Sequence, residues 1–185
     1  PRRGAFIFGR VYARPMRILL TNDDGIHAPG IAAMHEALGD LRAPDRKAPE
    51  ILTIAPLTVQ SATGHGVTFK EPIMVRDEAV REGVAGVAVD GRPADCVKLA
   101  IANLWPERYG RGSRPDLLIS GMNAGANCGI NVIYSGTVAA AIESAFLGVP
   151  SIAVSLHIGS SKPRFDVAAR YGAEVIARLI AGGLP

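Results

Sequence analysis

Cysteine is scarce in this chain, with two residues, Cys96 and Cys128, among 185. Two thiols are too few for a disulfide framework or a zinc site of their own, and they read as inert thiols of a reducing compartment. Long apolar runs are missing as well. No window reaches the ~18 consecutive apolar residues that suggest a membrane-spanning helix, so no membrane partner is expected. The longest stretch without charge, Leu117 to Ile142, is broken by four glycines and three asparagines. No Gly-x-x-x-x-Gly-Lys-Ser/Thr pattern occurs, which excludes an ordinary P-loop. Tandem repeats and internal domain boundaries are likewise absent.

A surplus of charge is also missing from the body of the chain. The formal charge of +3 comes from residues 1–15, PRRGAFIFGRVYARP, which hold four arginines (Arg2, Arg3, Arg10, Arg14) and no acid. From Met16 onward, 16 basic residues face 17 acidic ones. The sequence pI near 9.1 is therefore no argument for binding a nucleic-acid polymer. Arg-rich, acid-free leaders can be targeting segments. Met16 begins a strand directly, however, and reads as the natural start. The leader is expected to be disordered or foreign to the fold, and the protein cytoplasmic.

What is present is an ordinary globular composition, 48% hydrophobic and 20% charged, long enough for one domain, residues 16–185, with a real core. Arg17 to Thr21, RILLT, is a short aliphatic run closed by NDDG and predicts a buried parallel strand. A helix follows in PGIAAMHEALGD, with Pro29 in its first turn, Ile31, Met34 and Leu38 on one face, and Gly39 as its stop. APDRKAPE reads as a polar loop, and Ile51 to Pro56 as a second buried strand. GVTFKEPIMVR, 66–76, alternates and predicts an antiparallel edge or hairpin piece. VAVDGRPADCVKLAIANL reads as strand, turn and helix, with Val97, Ala100, Ile101 and Leu104 on one face. Asp90 and Asp95 are assigned to the turn and the helix cap. Pro115 to Ser120 is a further strand. SGTVAAAIESAFLG is a helix expected to turn Val138, Ala141, Ile142 and Ala145 inward, with Gly148 as its stop. PSIAVS is a strand and FDVAARYGAEVIARLIA a final amphipathic helix. Strands alternating with helices predict an α/β fold, a doubly wound, mostly parallel sheet.

In such sheets ligands bind beyond the carboxyl ends of the strands. Three polar clusters fall at such ends: Asn22 to Gly25 after RILLT, Ala55 to Gly66 after ILTI, and Ser120 to Gly129 after DLLI. The adjacent carboxylates Asp23 and Asp24 repel each other unless a cation lies between them or one stays protonated. Carboxylates, an Asn amide oxygen and a Ser hydroxyl are hard oxygen donors, suited to Mg²⁺, Mn²⁺ or Ca²⁺ rather than zinc or copper. The bland alternative for Asp23-Asp24 is a turn with one helix cap. The glycine-rich third cluster, with asparagines at 123, 127 and 131, suits a loop around an anion. Ser135-Gly136-Thr137 at a helix start favours phosphate, although plain capping explains it equally well alone. His65 can face the site or stand on its rim; His27, His35 and His157 read as structural or exposed.

Four segments, MRILLTNDDGIHAPG, APLTVQSATGHGVT, VDGRPADCV and PDLLISGMNAGANCGINVIYSGTVAAAIE, together resemble the SurE family of stationary-phase survival proteins, over Met16 to about Ser155. The resemblance implies a Rossmann-like fold and a metal-dependent phosphatase of nucleoside monophosphates, a 5′/3′-nucleotidase that in some members also hydrolyses polyphosphate. It implies a divalent cation, Mg²⁺ or Mn²⁺, held by Asp23, Asp24, Ser61 and Asn123. It places substrate phosphate near Asn127, Ser135, Gly136 and Thr137, with Asn22 and Gly25 of the first cluster counted among the substrate-binding residues. Family members usually run on past the point matching Pro185 into a projecting hairpin and a segment used in dimer and tetramer contacts. This chain is thus expected to be a shortened member, and the partners implied are a nucleotide substrate and further copies of the chain.

The mechanism expected is metal-assisted hydrolysis of a phosphate monoester, with Asp24 preferred over Asp23 as the group that accepts the water's proton. One rival makes Asp23 a covalent nucleophile. Another, from a different class, is a nucleotide-binding regulator with little or no hydrolysis.

Overall fold

Arg17–Thr21 forms β1, and three consecutive side chains, Ile18, Leu19 and Leu20, are wholly buried. Successive strand residues point to opposite faces, so burial of all three requires cover on both sides of the sheet. The computed structural model describes residues 14–41 and 47–183, and it supplies that cover. Ile18 and Leu20 pack with Ile31, Met34 and Leu38 of α1 (Pro29–Gly39) and with Ala169, Ala173 and Ile176 of α5 (Phe165–Gly182). Leu19 packs on the other face with Cys96 and Val97 of α2 (Pro93–Leu99) and Ala140 of α4 (Gly136–Phe146). Full burial of such side chains is worth roughly 1.5–3 kcal/mol each.

The remaining strands are β2 (Glu50–Pro56), β3 (Val75–Arg81), β4 (Val84–Val89), β5 (Leu117–Ala124) and β6 (Ser151–Leu156). Their order across the sheet is β3-β4-β2-β1-β5-β6. Among the described residues only β3–β4 is antiparallel; the other four pairings are parallel. The doubly wound α/β arrangement expected from the alternation of strands and helices is therefore present. After β1 the chain steps to β2 on one side, and later to β5 on the other. The carboxyl ends of β1 and β5 thus flank the crevice where the winding reverses, which is where open α/β sheets bind ligands. Among the described residues no helix is long and apolar enough to cross a membrane.

Three local expectations need correction. The antiparallel edge exists, but it lies at 75–81, and most of 66–76 is irregular. Lys70, Glu71 and Pro72 interrupt any ladder, whereas VRDEAVR can turn back through Gly83 onto β4. The helix begun by α2 is longer than expected. It continues through a π-helical turn, Ala100–Leu104, into α3 (Trp105–Tyr109), which anchors Trp105 in the core.

The third correction concerns α4. Its buried side is Gly136, Thr137, Ala139, Ala140, Ala141, Glu143 and Ser144, while Ile142 is 39% and Phe146 76% exposed, and Ala145 is exposed too. Size, not hydropathy, orients this helix. Gly136, Ala140 and Ser144 recur every four residues and make a stripe thin enough for the helix to lie close on the sheet. The bulkier apolar side chains are left outside.

The leader lies mostly outside the described residues. Arg14, its last arginine, forms an ion pair with Asp116 at 2.7 Å. The first half of the loop APDRKAPE, 43–46, likewise falls outside them, and its last residue, Glu50, begins β2.

Candidate active site

The turn after β1 is built by its own side chains. Asn22 Nδ2 donates to the Gly25 carbonyl at 2.9 Å, and Ile26 N–H donates to the Pro56 carbonyl at 2.8 Å. Gly25 adopts φ +96, a conformation that side chains rarely tolerate. The turn is thereby stitched to the end of β2. The following segment returns as an arm: Gln60 N–H donates to the Asp23 carbonyl at 2.7 Å. Next to Ser61, Ala62 holds a left-handed φ of +57, a strain of about 1 kcal/mol for a residue with a Cβ.

Asp23 and Asp24 are held from different sides. Thr137 at the first turn of α4 donates its hydroxyl to Asp23 Oδ1 at 2.5 Å. Asp24 Oδ2 accepts from the Ala124 N–H, at the end of β5, at 2.8 Å. Asp23 is 5% exposed and Asp24 half-buried. On β5, Asn123 Nδ2 donates to the Gly125 carbonyl at 2.7 Å, and Asn127 Nδ2 donates to Ser155 Oγ at 2.8 Å. Ser135 caps α4, its Oγ accepting from Val138 N–H at 3.1 Å.

These residues enclose a cleft of about 250 Å³, lined by Asp23, Asp24, Ser61, Asn123, Asn127 and Ser135, with Ala62, Ala124, Asn131 and Tyr134 completing the wall. All four expected cation ligands therefore meet in one place, although Asn123 is 62 residues from Ser61 along the chain. Among the described residues, none that lines the cleft is a lysine or arginine. Four other expected site residues lie behind the wall. Asn22 and Gly25 shape the turn. Thr137 is fully buried beneath Asp23. Gly136 lets the helix approach, since a Cβ there would lie 2.8 Å from Asp23 Cβ and 3.0 Å from Pro93 Cγ. Asn131 and Tyr134 are not among the site residues expected from the sequence. Asn131 did carry a signal, the continuation of the four-residue spacing of Asn123 and Asn127.

Electrostatics favour a cation. Burial pushes the Asp23 carboxyl above its ordinary value of 3.8; the Thr137 hydroxyl pulls it back, and the neighbouring Asp24 charge pushes it up further. Among the described residues no three His, Cys, Asp or Glu side chains gather in one place. A cation here would rest on two carboxylates and neutral oxygens, a donor set that fits Mg²⁺ or Mn²⁺ and not zinc.

The raised Asp23 carboxyl has a consequence for stability. The unfolded chain ionises Asp23 near 3.8, and the folded chain keeps the proton to higher pH. Between those values the folded state binds more protons, so this contribution to stability falls as pH rises, and above them it stays lost. Asp23→Asn removes the burden and can still accept from Thr137. In EDTA at about pH 7 the variant will melt above wild type, by about 2–4 °C for each kcal/mol relieved. The gap will close below the ordinary carboxylate value. Thermal melts at the two pH values check this; a variant that melts lower at both would refute it.

The other expectations for polar residues are mixed. Asp95 serves the start of α2, accepting from Arg92 N–H at 2.9 Å, and it also accepts from Thr68 N–H and Oγ1 at 2.9 and 2.8 Å. His35 lies within 3.1 Å of Thr53 Oγ1, and His27 is exposed. His65 is outside the cleft wall and within 2.7 Å of Glu143.

Comparison with known proteins shows the chain's family. Residues 18–184 match the family described as Survival protein SurE. The chain is 49% identical over 166 residues to a protein of Rhodopirellula baltica named 5′-nucleotidase SurE, covering 89% of this chain and 60% of the relative. A namesake from Desulforudis audaxviator is 49% identical over 162 residues, covering 87% of this chain and 58% of the relative. The crystal structure of the SurE protein from Aquifex aeolicus superposes with a TM-score of 0.75 at 37% identity, over 91% of this chain and 62% of that one. The chain thus spans about 60% of the length of these relatives.

Proposed function

The chain belongs to the SurE survival-protein family, and from that premise and the cleft's geometry we propose that it is a divalent-metal-dependent phosphatase of nucleoside monophosphates, with polyphosphate as a further candidate substrate. The observation that carries this is the meeting of Asp23, Asp24, Ser61 and Asn123 on one cleft, among whose described lining residues there is no lysine or arginine. Two relatives bear the name 5′-nucleotidase, which supports the substrate class.

Asp23, Asp24, Ser61 and Asn123 would hold the cation, Mg²⁺ or Mn²⁺. Bound there, it would supply Lewis-acid polarisation of a phosphoryl oxygen and a more acidic water. The protein's own residues do the rest. Thr137 and the first turn of α4 fix Asp23 in place. Asn127 and Ser135, which line the same cleft, offer polar groups to the phosphoryl oxygens. Asp24, the more exposed carboxylate, accepts the proton of the attacking water. Further copies of the chain are the expected partners in assembly.

The test is phosphate release by the purified chain from a panel of 5′- and 3′-nucleoside monophosphates and polyphosphate, with Mg²⁺ or Mn²⁺ and again in EDTA. Metal-dependent release from the monophosphates is expected. Tight nucleotide binding without release would replace the enzyme with a nucleotide-binding regulator.

A further inference from the structure

His65 stands outside the cleft, yet it is the most heavily engaged histidine of the chain. Its Nε2 lies 2.7 Å from Glu143 Oε2, and its ring stacks on Phe146 with centroids 5.9 Å apart and planes 17° apart. Glu143 is 7% exposed, an unusual place for a carboxylate. Its second oxygen accepts from Lys98 Nζ, on α2, at 3.2 Å. The buried charge is therefore shared between a lysine and His65. Removing His65 would leave one buried oxygen without its partner.

The location gives this pair its significance. His65 is four residues beyond Ser61 on the arm that follows β2. Glu143 is two turns along α4 from Ser135–Thr137, the segment that caps Asp23. The arm is bonded at its near end by Gln60 to Asp23 and at its far end by Thr68 to Asp95. Its middle is joined to Tyr134 of the cleft lining through Gly64 N–H, which donates to the Tyr134 carbonyl at 3.0 Å, and to Glu143 of α4 through His65. Ser61 and the strained Ala62 lie between these attachments.

We propose that His65 and Glu143 form a latch that holds the Ser61 arm against α4, so that Ser61 stays in register with Asp23, Asp24 and Asn123. His65 is a positioning residue in this scheme, not a catalytic one. The latch's bearing on a cation rests on the phosphatase reading above; its bearing on the arm does not.

Two readouts separate these. The first is amide hydrogen exchange of residues 61–66 in metal-free protein. His65→Ala and Glu143→Ala should each speed exchange there roughly tenfold, the loss expected for a hydrogen bond to a charged group. The double variant should fall well short of the two single effects multiplied together, because both substitutions remove the same His65–Glu143 bond. His65→Gln keeps an N–H that can reach Glu143 and should restore slow exchange. The second readout is Mn²⁺ affinity, by titration. It should fall at least about tenfold in His65→Ala and recover in His65→Gln, as for residues that orient metal ligands. Unchanged exchange in His65→Ala, additive effects in the double variant, or no rescue by glutamine would overturn the latch. Loosened exchange with undiminished Mn²⁺ affinity would overturn its role toward Ser61. If wild type binds no Mn²⁺, the cation reading fails, and exchange still decides the latch.

Discussion

The variant Asp23→Asn/Asp24→Asn will lose Mn²⁺ binding and metal-dependent phosphate release together, with turnover falling by about 10³-fold or more. Removing one preorganised group that stabilises transition-state charge already lowers turnover by about 10²–10³-fold. Here both of the cleft's carboxylates go at once. Folding should not suffer. Asn at 23 can still accept from Thr137, and Asn at 24 can still accept from the Ala124 N–H. The desolvation cost and the repulsion, which together push the Asp23 carboxyl up, vanish with the charges. The pattern expected is therefore an inactive protein at least as stable in EDTA as wild type. Phosphate release, Mn²⁺ titration and thermal melting check it. Full activity in the double variant would remove the basis of the proposed mechanism.

Gly136→Ala will cost the protein both stability and turnover. An ideal Cβ would stand 2.8 Å from Asp23 Cβ, 3.0 Å from Asp23 Oδ2 and 3.0 Å from Pro93 Cγ. None of these atoms belongs to the far end of a long flexible side chain, so α4 must retreat or Asp23 must turn. Overpacking of this kind destabilises by about 1–3 kcal/mol. Displacing a reacting group by an ångström lowers turnover by about 100-fold. The same substitution at Gly182, where an added Cβ meets nothing within 4 Å, should leave both quantities nearly unchanged. Equal effects at the two glycines would refute the close-approach argument.

Much of this protein is legible in its residue order. The aliphatic runs RILLT, ILTIAP and PDLLIS can be buried on both faces only as central strands between helix layers, and all three are. Pro29 and Pro93 mark helix starts because the missing N–H has no intrahelical partner there anyway. The three polar clusters follow strands, and parallel strands deliver their carboxyl ends to one edge, which brings the clusters together; the choice of Ser61 and Asn123 within them comes from the resemblance to the family's motifs. What stayed hidden depends on distances between segments remote in sequence. Hydropathy put Ile142 of α4 inside, whereas the approach of Gly136 to Asp23 turned the helix the other way. Thr137 and Ser135 look alike as capping residues, yet one lies beneath Asp23 and the other in the cleft wall. His65 and Glu143, 78 residues apart, share no sequence pattern that pairs them. Periodicity and turn chemistry act within a few residues and so determine the elements and their order. The rotation of a helix against a sheet, and the partner a buried charge finds, are decided by packing, which no local stretch of sequence contains.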